Sequence, residues 1–291
     1  MTNLEIPDNR TLDRILDVTR AVGRGAAKIL RSYYRGEKNL TVNEDKKDGP
    51  VTAADIAANH YILEKLQATF GEEKFGYLSE ETHQGSEPIA GDLVWIIDPL
   101  DGTRDFIEKT GEYALHIALC YQGRPIIAVV AVPEAEKLYF AAKGQGTHVE
   151  AADGTVTPLQ VSHRERIEDL YLVASRTHRD RRFDALLARL PFKGQNYVGS
   201  VGCKISTILE HRSDVYISLS GKSAAKDWDF AAPELILTEA GGKFTYFDGT
   251  PVRYNRGDVC QWGGIMASNG HCHDELCRMA TEILEEIDSK S

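Results

Sequence analysis

Three acidic sites stand out by residue type and spacing. In Asp98-Pro99-Leu100-Asp101-Gly102-Thr103 two carboxylates sit three residues apart on a turn that Pro99 stiffens and Gly102 opens. The turn directly follows the apolar run Leu93-Val94-Trp95-Ile96-Ile97. Converging carboxylate oxygens there, with the Leu100 peptide carbonyl between them, suit a hard divalent cation such as Mg²⁺. The same hexapeptide also fits a plain Asp-capped turn. Glu80-Glu81 closes the stretch Gly76-Tyr77-Leu78-Ser79, and Asp229 lies between Trp228 and Phe230 at a predicted helix start. Taken singly, the first reads more readily as a solvated acidic pair and the second as a plain helix cap.

The elements that must position these residues follow from hydrophobic period. Leu12, Ile15, Leu16, Val22, Ile29 and Leu30 predict a helix over residues 10–35. A Lys-rich stretch from Gly36 to Pro50 reads as a connector or hairpin. Thr52 opens a second helix with Asp55 as its capping partner; Ile56, Leu63, Leu66 and Phe70 are expected on its buried side, and Gly71 ends it. The run ending at Asp98 suits a strand covered on both faces. Ala114–Tyr121, Pro125–Val132 and Leu138–Ala142 follow as an antiparallel meander. Beyond a polar segment at Asp153-Gly154 the pattern alternates. Strands are expected at Tyr171–Ala174, Tyr197, Val215–Leu219, Lys243–Phe247 and Gly264–Ala267. Helices are expected around Arg182–Arg189, over Gly202–His211 and Ala231–Ala240, and from Asp274. This divides the chain into an amino-terminal α+β half, 1–155, and a carboxyl-terminal α/β half, 156–291, without a repeat or low-complexity linker.

The 291 residues carry 34 basic and 44 acidic side chains, a formal charge of -10. Such a balance argues against a nucleic-acid polymer as partner, since that affinity comes from Lys and Arg on phosphates. A small anionic ligand remains possible through bound cations or a local basic pocket. No apolar run approaches the ~18 residues of a membrane span. The amino terminus reads as no signal peptide, and the five cysteines are odd in number; a cytoplasmic protein with reduced thiols is expected. Gly221-Lys222-Ser223 ends like a phosphate loop, but Tyr216 stands where its first glycine is required. His271-Cys272-His273 with Cys277 lacks the paired spacing of a zinc site. Neither H-E-x-x-H nor G-x-S-x-G occurs.

Taken together, Asp98-Pro-Leu-Asp101-Gly-Thr103 and Trp228-Asp229-Phe-Ala-Ala-Pro-Glu-Leu-Ile-Leu-Thr-Glu-Ala-Gly-Gly242 resemble the two signatures of the inositol monophosphatase superfamily, and the likeness runs from about Leu12 to Leu284. The resemblance implies a layered α/β/α/β/α sandwich with the active site between the halves. It makes Glu80, Asp98, the Leu100 carbonyl, Asp101 and Asp229 ligands of two or three Mg²⁺ ions, with Glu81 just behind them. It implies that water attacks phosphorus directly, that Gly102 and Thr103 help hold the phosphate, and that lithium inhibits. It also implies an Asp upstream of the Thr52 helix that pairs with Thr103 to orient the water. Asp48 is the candidate, in D-G-P-V-T where related nucleotide phosphatases carry the longer D-x-S-P-V-T.

Phe106-Ile107-Glu108-Lys109-Thr110-Gly111-Glu112-Tyr113, Pro50–Ala58 and Ser175-Arg176-Thr177-His178 resemble CysQ-type 3′(2′),5′-bisphosphate nucleotidases. Gly199-Ser200-Val201-Gly202-Cys203-Lys204 is similar to their G-S-x-x-K substrate loop, one residue longer. On that resemblance Arg176, His178, Ser200 and Lys204 would hold the ribose or a second phosphate. The implied activity is release of the 3′-phosphate of adenosine 3′,5′-bisphosphate, the sulfated nucleotide being a further substrate, by a monomer or homodimer. The stretch Gly221–Lys226 differs from well-studied bacterial members and leaves open an inositol or fructose bisphosphate phosphatase. A non-catalytic metal- or ligand-binding regulator is the remaining alternative.

Overall fold

The computed structural model describes residues 8–44, 49–177 and 179–290. Asp48 and His178 therefore lie outside the described residues. The first helix, α1 (Asn9–Tyr34), is capped by Asp8, whose carboxylate accepts from the Thr11 amide. β1 (Val42–Asn43) and β2 (Val51–Thr52) pair as a short antiparallel hairpin. α2 (Ala53–Phe70) starts at the expected Thr52–Asp55 capping box and stops at Gly71, whose φ of 71° favours glycine. Ile56 departs from expectation and is 49% exposed. The buried stripe instead takes every fourth residue, Ala54, Ala58, Ile62 and Leu66, and Ile56 stands about 200° round the helix from Ala54.

The chain then builds β3 (Phe75–Ser79), β4 (Leu93–Asp101), α3 (Thr103–Ile107), β5 (Ala114–Tyr121), β6 (Arg124–Val132), β7 (Lys137–Ala142), β8 (Thr147–Glu150) and β9 (Val156–Leu159). These seven strands form one sheet in sequence order. β3 and β4 are parallel, and the remaining pairs form the expected meander. Asp153-Gly154 is the turn of the β8–β9 hairpin, so this sheet extends to Leu159. Along β4, Leu93, Trp95 and Ile97 face α1 and α2, while Val94 and Ile96 face the opposite core. Alternation on a sheet covered twice thus turns one apolar run into two faces. Each large aliphatic side chain fully buried this way contributes roughly 1.5–3 kcal/mol.

The second half comprises β10 (Tyr171–Ser175), α4 (Arg181–Leu187), β11 (Gly194–Val198), α5 (Val201–Leu209), β12 (Val215–Leu219), β13 (Ala225–Lys226), α6 (Asp227–Glu239), β14 (Lys243–Tyr246), β15 (Cys260–Gln261), β16 (Gly264–Ser268) and α7 (His273–Asp288). Its five-stranded sheet runs β11-β10-β12-β16-β14, parallel around β10 and antiparallel at β12–β16–β14. Residues of α5 and α6 (Ile205, Phe230, Leu237) lie in one core with Val94 and Val130 of the large sheet and Val173, Tyr216 and Ala267 of the small one. The outer face of the small sheet, through Leu172, Ile217 and Met266, packs on Phe183 of α4 and Leu276 of α7. The order of layers is helix pair, sheet, helix pair, sheet, helix pair, the α/β/α/β/α sandwich. Among the described residues no helix is long and apolar enough to cross a membrane, and no disulfide forms.

Candidate metal centre

Strand pairing brings the acidic residues together. Ser79 of β3 is in register with Ile97 of β4, so Glu80 and Asp98 follow side by side, and the Glu80 amide donates to the Ile97 carbonyl at 3.2 Å. Asp98 pairs across the antiparallel side with His116 of β5, after which the ladder breaks before Asp101. The break has a local cause: Asp98 Oδ1 accepts from the Leu100 amide at 3.0 Å, an Asx turn around Pro99. β4 therefore reaches Asp101 irregularly, where the sequence predicts an end at Asp98. Gly102 has φ 90°, and a Cβ there would stand 3.0 Å from the Glu112 carbonyl oxygen and 3.2 Å from Ser200 Cβ. Asp229 enters from the other half as the third residue of α6, its Oδ2 accepting from the Lys226 amide at 2.6 Å.

One ligand atom each from Asp98, Asp101 and Asp229 lies within 4.8 Å of the others, the sole such His, Cys, Asp or Glu group among the described residues. Burial and the nearby charges of Asp229 and Glu81 push the Glu80 carboxyl up to about 8. Burial and Glu80 push Asp98 well above the usual range, and burial with Asp101 brings Asp229 to about 6. Asp101 goes the other way. Burial opposes its charge, yet neighbouring His116 and Lys204 and the Ser200 hydroxyl hold it at about 2. Oxygen donors so close together, with their charge so poorly offset, fit a hard divalent cation. Glu80, Asp98, Asp101, Asp229 and the Leu100 carbonyl are the residues that would hold it, with Glu81 near enough to raise both Glu80 and Asp55.

The expected substrate residues are distributed around this cluster. Thr103 Oγ1 lies 3.1 Å from the Leu100 carbonyl and 3.2 Å from Asp55 Oδ1. Asp55 is buried and accepts from both the amide and the hydroxyl of Thr52; burial nevertheless raises its carboxyl to about 6. Ser200 turns inward, its Oγ donating to Asp101 Oδ2 at 2.5 Å while capping α5 through the Cys203 amide. The Gly202 amide donates to the same Asp101 oxygen at 3.0 Å. Lys204 is 2% exposed, and its ammonium donates to the Gly199 and Ser200 carbonyls, which offset its desolvation. Arg176 sits at the surface between Asp105 and Glu112, 2.6 Å from each.

The sequence reading missed His116. It is fully buried, with Nδ1 3.2 Å from the Trp228 carbonyl and Nε2 3.3 Å from Asp101 Oδ2. A signal existed: it is a polar residue on the β5 face that otherwise presents Ala114, Ala118 and Cys120. His273 bonds to the Thr245 and Ser268 hydroxyls, and the Cys272 thiol donates to the Glu165 carbonyl.

The sequence and the fold are similar to those of known proteins. Residues 11–285 match the family model described as the inositol monophosphatase family, and the chain belongs to that family. It is 33% identical over 241 residues to the 3′(2′),5′-bisphosphate nucleotidase CysQ of Salmonella typhimurium, across 80% of this chain and 91% of the relative. CysQ of Escherichia coli K12, carrying the same description, is 32% identical over 243 residues, 82% of this chain and 94% of its own. Among solved structures, the extragenic suppressor protein SuhB from Bartonella henselae has a TM-score of 0.78 at 26% identity, covering 92% of this chain and 99% of that one. CysQ from Bacteroides thetaiotaomicron, described as a bacterial member of the family, has a TM-score of 0.74 at 26% identity, covering 90% and 99%. The protein is a phosphatase of a metal-dependent family.

Proposed function

We propose that the protein is a Mg²⁺-dependent phosphomonoesterase that removes the 3′-phosphate of adenosine 3′,5′-bisphosphate, yielding AMP and phosphate, with the sulfated nucleotide as a further substrate. The observation that carries the reading is the Asp98–Asp101–Asp229 group, within 4.8 Å, on a chain 33% identical to a bisphosphate nucleotidase. When bound, two or three Mg²⁺ ions supply the positive charge that lets a phosphate approach these carboxylates and that offsets charge developing in the transition state.

The chain's own groups do the rest. Thr103 donates a hydrogen bond from its hydroxyl to Asp55 or to the Leu100 carbonyl, which leaves its oxygen lone pairs to accept from, and so orient, the attacking water. Asp48, expected in that partnership, lies outside the described residues. Water attacks phosphorus and the bond to the ribose 3′-oxygen breaks; one proton of that water goes to the leaving oxygen and the other stays with the released phosphate. Gly102 and Thr103 hold the phosphate at the turn after β4. Arg176, at the rim between Asp105 and Glu112, serves the ribose or the 5′-phosphate, a role that the sequence also assigns to His178. Ser200 and Lys204 act on the nucleotide through the loop they shape. Lithium competes with one weakly held Mg²⁺. The protein acts in the cytoplasm as a monomer or homodimer.

Phosphate release at fixed Mg²⁺ from adenosine 3′,5′-bisphosphate, inositol 1-phosphate and fructose 1,6-bisphosphate tests the substrate. The nucleotide is expected to turn over fastest, with AMP as product. Equal or faster turnover of inositol 1-phosphate contradicts it in favour of a sugar phosphatase. No release from any of the three favours a regulatory protein.

A further inference from the structure

His116 belongs to neither family signature, yet it touches the residues that both signatures supply. It lies on β5 of the large sheet, on the face turned toward α5 and α6, fully buried and opposite Asp98 in the β4–β5 ladder. A carbonyl oxygen only accepts, so the 3.2 Å contact has Nδ1–H donating to Trp228, the residue before Asp229. The opposite ring edge turns Nε2 toward Asp101 Oδ2 at 3.3 Å. Gly202 makes room for that edge: a Cβ there would stand 2.5 Å from Nε2. One imidazole thus spans the gap between Asp101 of the first half and the start of α6 in the second.

We propose that His116 is a positioning residue of the metal centre, fixing the approach of Asp229 to Asp101 through its bond to the Trp228 carbonyl. A buried imidazole has few rotamers here, because Asp101, Gly202 and Trp228 enclose it. The distance between the two aspartates then follows from a rigid ring rather than from two separate backbones. Groups that orient metal ligands without touching the ion typically alter affinity 10–100-fold when removed. This inference rests on the reading of the acidic cluster as a metal centre.

The test is metal affinity, read by terbium luminescence sensitised through Trp228 and by its displacement with Mg²⁺, alongside the melting temperature without metal. His116→Asn keeps an N–H near the Nδ1 position; His116→Gln reaches toward Asp101 but leaves the Trp228 carbonyl unbonded. The expected result is affinity within about threefold of wild type for His116→Asn and 10–100-fold weaker for His116→Gln, both folded. His116→Leu, if it folds, is expected to match His116→Gln. Equal affinity in His116→Asn and His116→Gln, whether both retained or both lost, overturns the Trp228 bridge. A wild-type protein that binds neither ion overturns the metal-centre reading itself.

Discussion

The hydroxyl of Thr103 lies 3.2 Å from Asp55 Oδ1, while the other oxygen of the same carboxylate holds the Thr52 amide at 2.8 Å and the Thr52 hydroxyl at 2.5 Å. One side chain therefore caps α2 and supports the hydroxyl after the aspartate turn. Thr103→Ala is expected to lower kcat by about 10²–10⁴-fold with little change in KM, the range for losing a positioned proton-handling group. Thr103→Ser, which keeps the hydroxyl, is expected to recover most of it. Steady-state kinetics on the purified variants checks both, and an unchanged kcat in Thr103→Ala removes Thr103 from the reaction.

The acidic cluster predicts a pH dependence opposite to that of an ordinary salt-bridged protein. Glu80, raised from 4.5 to about 8, and Asp229, raised from 3.8 to about 6, hold protons in the folded protein that they release when unfolded. Their favourable contribution is complete below their unfolded values and is lost as pH rises through the folded ones. Without divalent metal the melting temperature should therefore fall between about pH 5 and pH 8, and added Mg²⁺ should reverse the fall. His273, lowered to about 4 by burial, works in the other direction only below pH 6.5. Thermal melts across pH with chelator and with Mg²⁺ measure this; identical curves in the two conditions contradict it.

Asp229→Asn should separate stability from function. The amide oxygen can still accept from the Lys226 amide, while the like-charge contact with Asp101 disappears. The metal-free variant is expected to melt at or above the wild-type temperature. Its Mg²⁺-dependent rise should vanish, and turnover should drop on the order of 10³-fold.

Gly202 predicts a packing penalty independent of metal. A methyl group there would stand 2.5 Å from His116 Nε2, 2.8 Å from Ala114 Cβ and 2.9 Å from Val130 Cγ1, all in buried strands. Gly202→Ala is expected to cost about 1–3 kcal/mol in chemical denaturation, as overpacking of a filled core does.

Much of this site was legible because its determinants are local. Pro99 and Gly102 fix the turn that aims Asp98 and Asp101, and Asp229 sits in the first turn of α6. The β5 bounds, Ala114–Tyr121, follow directly from its nearly continuous apolar run and the Gln122-Gly123 turn that ends it. What escaped depends on contacts between distant segments. His116 acquires its meaning only when Asp101 and Trp228 arrive from two other segments. Lys204 reads as a free cation until the Gly199 and Ser200 carbonyls fold over it. The largely exposed strand β9 offered little apolar pattern, so its hairpin passed for a link between halves. Ile56 was misplaced because small residues, Ala54 and Ala58, rather than large ones, mark the buried stripe of α2.

Under the proposed function, the Asp98–Asp101–Asp229 carboxylates hold the metal on which phosphate release depends. Phosphate release from adenosine 3′,5′-bisphosphate, followed against free Mg²⁺ for wild type and Asp229→Asn, tests it most directly. The expected result is no release in chelator, saturable recovery with Mg²⁺, and only about a thousandth of that recovery in the variant. Release that persists in chelator, or a variant that matches wild type at saturating Mg²⁺, would contradict it.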